Sequence, residues 1–149
     1  MEIERKFLIE ALPPDLDSCR SHIIEQGYLC TEPVIRVRRE DDDYWLTYKG
    51  KGLMVREEHN LPITREAYEH LREKADGNLI TKKRYLIPLD NGLTIELDIF
   101  DKPFAPLVIA EVEFASEEEA GGFVAPDWFG KEVTFNSEYQ NSSLSRKKF

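Results

Sequence analysis

Apolar and charged residues alternate with a period of two along seven stretches of this chain, so strands dominate its predicted structure. Met1–Glu10 sets Ile3, Phe7 and Ile9 on one face and Glu2, Glu4 and Lys6 on the other. Val34–Arg39, Asp43–Lys49, Met54–Asn60, Ile80–Ile87, Leu93–Phe100 and Val108–Phe114 repeat the pattern, and Lys131–Phe135 reads as a last short strand. Asp41-Asp42-Asp43, Gly50-Lys51-Gly52 and Asp90-Asn91-Gly92 separate neighbours at hairpin distances. Helices are the minority. Leu16, Cys19 and Ile23 recur at helical spacing up to Gly27, a natural stop. Thr64 caps a helix reaching about Ala75, with Ile63 and Tyr68 spaced as a hydrophobic staple. Ser116 and Glu119 form a capping box for a short helix ended by Gly121-Gly122, and Ser137 with Gln140 caps a C-terminal one.

The charged faces are sorted by sign. Glu2 sits with Glu4, Glu96 with Asp98, Glu111 with Glu113, Arg36 with Arg38, and Lys82 with Arg84. Residues two apart on a strand share a face, which sets each like-charged pair roughly 6–7 Å apart. Such pairs repel unless opposite charge lies between or across from them. Paired carboxylates suit a hard divalent cation, and paired guanidinium or ammonium groups suit phosphate.

Periodicity alone favours a sandwich with solvated charged faces. Three observations reverse that preference. Solvated sheet faces mix signs and carry Ser and Thr, whereas these are almost purely charged. Arginine, at 36, 38, 56 and 84, is suited to bidentate phosphate contact. The amphipathic helices also need an apolar sheet surface to cover. The expected architecture is α+β but mainly β: an eight-stranded antiparallel closed barrel, charged inside, with helices packed outside.

At 149 residues the chain is expected to form one domain, 1–149. A 41% hydrophobic and 33% charged composition is that of a globular protein. No apolar run is long enough to span a membrane, and the N-terminus has no signal-peptide core. Cys19 and Cys30 lack metal-ligand spacing and read as reduced thiols, so a cytoplasmic location is expected. The net charge of −9 argues against nucleic acid as a partner. Seven acids (Glu2, Glu4, Glu58, Glu96, Asp98, Glu111, Glu113) and seven bases (Lys6, Arg36, Arg38, Lys49, Arg56, Lys82, Arg84) on the strand faces cancel, so the acidity lies elsewhere.

Glu2-Ile3-Glu4-Arg5-Lys6 is a Glu-x-Glu-x-Lys motif on the first strand. It resembles the signature of the CYTH superfamily, the triphosphate tunnel metalloenzymes. Arg36-Val37-Arg38, Thr47-Tyr48-Lys49, Val55-Arg56-Glu57-Glu58, Lys82-Lys83-Arg84-Tyr85, Glu96-Leu97-Asp98 and Glu111-Val112-Glu113 follow in that family's order. Lys131-Glu132-Val133-Thr134, Tyr139-Gln140-Asn141 and Leu144 look like its closing segment. The resemblance implies a tunnel that binds triphosphate and requires Mg²⁺ or Mn²⁺. It implies metal-holding acids at Glu2, Glu4, Glu111 and Glu113, with Glu96 and Asp98 nearby. It implies phosphate binders at Lys6, Arg36, Arg38, Lys49, Arg56, Lys82 and Arg84, with Glu58 fixing an arginine or a water.

The reaction this implies is hydrolysis of inorganic triphosphate to diphosphate and phosphate, with Glu2, Glu4, Lys6, Arg38, Lys82, Glu111 and Glu113 as its catalytic set. A small-molecule triphosphate is the expected partner, without nucleic acid or membrane; a homodimer is left open. Adenylyl cyclase, an organic triphosphatase acting on thiamine triphosphate or a nucleoside triphosphate, and a non-catalytic polyphosphate-binding module are the alternatives. The chain shows no histidine-containing extension ahead of Glu2, a feature that cyclases of this superfamily tend to show. His22, His59 and His70 are scattered and read as surface or packing residues, Trp45 as core or rim packing, and Lys147-Lys148 as a solvated tail.

Overall fold

The computed structural model describes residues 1–149 and is built on one antiparallel sheet. Its strands are β1 (Glu2–Leu8), β2 (Arg20–Thr31), β3 (Val34–Glu40), β4 (Asp43–Lys49), β5 (Val55–Arg56), β6 (Glu58–Pro62), β7 (Asp76–Pro88), β8 (Thr94–Phe100) and β9 (Val108–Glu113). They run in the order β5-β1-β9-β8-β7-β2-β3-β4-β6. The two outermost strands are one chain segment interrupted at Glu57, so the sheet closes on itself. β5 pairs with β1 (Glu2 opposite Arg56), and β6 pairs with β4 (Lys49 opposite Glu58). Nine segments therefore form the eight walls of a closed antiparallel barrel, and closure removes the free edges.

The charged faces point inward. Along β1, Glu2, Glu4 and Lys6 are all buried, as are Arg36, Lys82, Arg84, Asp98 and Glu111 on their strands. The alternate residues form an outer apolar wall. Ile95, Leu97, Ala110 and Val112 pack there with Ile9, Phe114 and Ala120, covered by Phe123, Trp128 and Phe129. A second cluster of Tyr28, Val34, Ile80, Phe100 and Ile109 shares the inward parity of Arg36, Lys82, Asp98 and Glu111, and is sealed by Phe104 and by Leu144 of the C-terminal helix α3 (Asn141–Ser145). No helix is long and apolar enough to cross a membrane.

Three elements differ from the periodicity-based expectation. The helix expected from Leu16 to Gly27 is a three-residue turn, Leu16–Ser18, followed by the twelve-residue β2. Closing the barrel between β3 and β7 requires a strand here. Ile24, Gln26 and Tyr28 fill its interior face with period two, while Ile23 is left 54% exposed. Gly27 is no helix stop. A Cβ there would come within 2.8 Å of Ala75 Cβ and Leu79 Cδ2, so glycine permits a close approach. Lys131–Phe135 forms a single bridge, Phe7 to Glu132, on the stretch of β1 that β5 leaves uncovered. There Val133 N–H donates to Lys6 O and Leu8 N–H to Lys131 O. At the C-terminus, Asn136 rather than Ser137 supplies the side-chain cap, for a 3₁₀ turn, and α3 is one short turn after it.

The other capped helices form. Thr64 Oγ1 accepts from Ala67 N–H at the start of α1 (Arg65–Arg72), which ends before Ala75. Ser116 Oγ accepts from Glu119 N–H at the start of α2 (Glu117–Gly122).

Candidate active site

The strands enclose a cavity of about 310 Å³ whose lining of 22 residues includes only three hydrophobic ones, Tyr28, Val34 and Trp45. Of the thirteen sequence-derived candidates, all but Asp98 line it, and Glu58 lines it with them. They converge because strand alternation points each second residue inward, and because the register places opposite charges across from each other. Lys6 faces Glu111 and Arg84 faces Asp98 across the ladder.

On one wall, Glu2, Glu4, Glu111 and Glu113 come from the adjacent strands β1 and β9, with Glu4 directly opposite Glu113. Lys49 Nζ donates to both carboxylate oxygens of Glu2 (3.0 and 3.2 Å) and lies 3.4 Å from Glu58. Lys6 Nζ lies 3.6 Å from Glu111 Oε1. Glu4 forms no ion pair. Burial, and then the neighbouring carboxylates of Glu111 and Glu2, lift its pKa well above the ordinary glutamate range. Burial also raises Glu2 and Glu113. Burial alone would raise Glu111, but Lys6, Arg84 and Lys82 hold it far below the usual carboxylate range.

The opposite side is cationic. Arg36 Nη2 donates to Thr47 Oγ1 (3.3 Å), while its buried Nε–H has no protein partner. Arg38 Nε donates to Gln26 Oε1 (2.9 Å). Burial, with Arg36 and Arg84 adding to it, lowers Arg38 to about 10. Arg56 borders the acidic wall instead, paired across from Glu2, and its Nε donates to Gly50 O (3.1 Å). Burial brings Lys82 down to about 8, even though Asp98 beside it pulls the other way.

Asp98 stands apart. Fully buried behind the lining, it receives Arg84 through two bonds (2.8 and 2.9 Å) and Lys82 at 2.8 Å. Glu96 takes the remaining Arg84 nitrogen at 2.9 Å. Both oxygens of Asp98 are thus committed to cations, which suits a group that aims Arg84 and Lys82 rather than one that ligates a metal.

No three acidic or histidine side chains converge on one metal-ligating point, because Lys49 and Lys6 hold Glu2 and Glu111. The donor chemistry nonetheless fits a hard divalent cation. The wall offers only carboxylate oxygens, and Glu4 is a buried carboxylate without an ion-pair contact, its neighbouring acids and burial outweighing Lys6 and Lys49.

Several lining residues carry no site role in the sequence reading: Thr47, Asn60, Glu40, Gln140, Asn141 and Ser142. Thr47 and Asn60 share the parity of Lys49 and Glu58, so alternation alone points to them. Asn141 arrives from 115 residues away to accept from Gln26, and no local signal marks that approach.

A closed antiparallel barrel with acids on one inner wall and guanidinium and ammonium groups across from them encloses a charge-lined cavity suited to a polyanion. The chain belongs to the CYTH domain family, whose model matches residues 1–148. It is 37% identical over 147 residues to a protein of Nitrosomonas europaea named inorganic triphosphatase, covering 97% of this chain and 96% of that one. A second inorganic triphosphatase, from Acetivibrio thermocellus, is 33% identical over 153 residues, covering 99% and 95%. The crystal structure of an inorganic triphosphatase superposes with a TM-score of 0.75 at 34% identity, covering 99% of this chain and 96% of that one.

Proposed function

We propose that this protein hydrolyses inorganic triphosphate to diphosphate and phosphate with the help of a divalent cation, Mg²⁺ or Mn²⁺. The observation that carries the reading is the cavity lining: seven cations and seven acids among 22 residues, with only three hydrophobic ones. An inorganic polyanion needs no apolar contact, whereas a nucleobase or thiazole ring does. The two relatives named inorganic triphosphatase support the same substrate.

Lys6, Arg36, Arg38, Lys49, Arg56, Lys82 and Arg84 bind and orient the phosphate chain, each contact strengthened by partial desolvation. Arg36 brings to a phosphate oxygen a buried N–H that has no partner within the protein. Asp98 and Glu96 hold Arg84 in place through its three nitrogens. The cation would be held by Glu2, Glu4, Glu111 and Glu113, and when bound it neutralises phosphate oxygens and acidifies a coordinated water. Positioning and charge stabilisation are the main demands of phosphoryl transfer. Cys19 and Cys30 are both free, in keeping with a reducing, cytoplasmic setting.

The test is phosphate release from inorganic triphosphate, ATP and thiamine triphosphate with Mg²⁺ and with Mn²⁺, monitoring cyclic AMP in parallel. Triphosphate is expected to be the preferred substrate. A preference for ATP with a cyclic product would replace this reading with a cyclase.

A further inference from the structure

One side of the cavity carries a hydrogen-bond chain that the proposed reaction does not account for. Arg38 Nε donates to Gln26 Oε1 at 2.9 Å. Gln26 Nε2 donates to Asn141 Oδ1 at 3.2 Å and to Tyr28 Oη at 3.1 Å. Lys82 Nζ donates to the same Asn141 oxygen at 3.0 Å. Both ends of the chain are cations, which only donate, so the orientation of the two amides is dictated. Gln26 must turn its oxygen to Arg38, and Asn141 must turn its oxygen to Lys82. The amide nitrogen of Gln26 then fits the oxygen of Asn141. Gln26 is fully buried and Lys82 is 1% exposed, so neither exchanges its partner for water.

The link joins two like charges on β3 and β7, the strands that flank β2. Carboxylates at positions 26 and 141 would tie Arg38 and Lys82 as firmly, but each would cancel a charge. Neutral amides hold the cations without adding negative charge: Arg38 has no ion-pair partner, and Lys82 keeps Asp98, at 2.8 Å, as its one carboxylate. The segment that delivers Asn141 also reaches Lys6, whose Nζ donates to the Tyr139 carbonyl oxygen at 3.2 Å. Gln140 Nε2 anchors it to Gly52 O in the β4–β5 loop at 3.1 Å. Residues 139–141 are therefore part of the site, and again they meet its lysines with uncharged oxygens.

We infer that Asn141, with Gln26 behind it, is a positioning residue for the triphosphate: it sets Lys82 and Arg38 at a fixed separation without adding a carboxylate beyond the Asp98 that Lys82 already meets. This deepens the proposed function and rests on it. The informative variant is Asn141→Asp, which is nearly isosteric and keeps the acceptor, so a merely structural role predicts almost no change. The positioning role predicts a loss of tripolyphosphate affinity, measured by calorimetry without metal, of roughly 10- to 100-fold, the size of one charged hydrogen bond. In turnover the loss falls on KM, with kcat within about threefold. Asn141→Ala, which frees Lys82 and Gln26 without adding charge, weakens binding less than Asn141→Asp. Gln26→Glu repeats the effect from the buried side, and its melting temperature is recorded so that misfolding is recognised.

Affinity and KM within about twofold of wild type in Asn141→Asp overturn the inference. So does an Asn141→Ala variant that binds more weakly than Asn141→Asp. A wild type that binds tripolyphosphate but does not hydrolyse it overturns the triphosphatase reading. In that case the inference stands or falls on the calorimetric comparison alone. A wild type that binds no tripolyphosphate overturns both.

Discussion

Asp98→Asn separates two roles for this acid, because metal ligation and cation holding predict opposite stability changes. Asp98 is wholly inaccessible and pairs with Lys82 at 2.8 Å and with Arg84 at 2.8 and 2.9 Å. Each unit-charge pair at such distances carries about 6 kcal/mol at an effective dielectric of 20. Removing one partner of a buried pair costs about 3–5 kcal/mol, since the cations left behind stay desolvated. Asparagine keeps one acceptor, so about 3 kcal/mol is the expected loss, and the melting temperature should fall by roughly 6–12 °C. The assay is thermal unfolding in EDTA, without and with millimolar tripolyphosphate. The variant has one more uncompensated positive charge beside the cavity, so tripolyphosphate should raise its melting temperature by more than it raises the wild type's. If Asp98 instead repelled other acids while awaiting a metal, the variant would melt at or above the wild-type temperature without metal. That outcome would refute the cation-holding argument.

Glu4→Gln is expected to abolish metal-dependent hydrolysis while raising the melting temperature in EDTA, because it removes an unpaired buried charge beside Glu111 and Glu2. The sign follows from the raised pKa. Glu4 favours the fold below about pH 4.3, the unfolded glutamate value, and that contribution is lost as pH rises through the higher folded value. The gain over wild type should therefore widen toward neutral pH, and an equal gain at pH 4 and pH 7 would contradict it. Arg38→Ala should weaken tripolyphosphate binding roughly 10- to 100-fold by calorimetry, and unchanged affinity would remove Arg38 from the phosphate binders. Burial lowers the Lys82 ammonium to about 8. A bound polyanion raises that value, so binding at pH 8 should draw up to about 0.5 proton into Lys82. Metal-free calorimetry in two buffers of different ionisation enthalpy, with Lys82→Arg as reference, measures it; identical proton counts would exclude the effect.

Much of the site was legible before any coordinates. Strand alternation placed Glu2, Glu4 and Lys6 on one face, and they stay together because a closed barrel turns that face inward. The strand read as Met54–Asn60 is real in both halves, although Glu57 interrupts it where the sheet closes. The reading failed at β2, where Leu16, Cys19 and Ile23 imitate a helical stripe. The local pattern there was ambiguous, and pairing with β3 and β7 decided it. That error also hid Gln26, whose interior position makes sense only in a strand.

The sequence by itself determined the period-two alternation, the sorting of charge by sign, the capped starts of α1 and α2, and the resemblance that ties the charged strands to one family. These are local quantities, set by neighbours two to four residues apart. Tertiary structure alone decided which acids keep a free charge and which are spent on cations. Glu4 and Asp98 are both buried acids on alternating strands. One faces carboxylates and the other two cations, because register and strand order bring β9 beside β1 and β7 beside β8. It also brought Asn141 to Lys82 across 59 residues of chain, a contact that depends on barrel closure and leaves no trace in any local window.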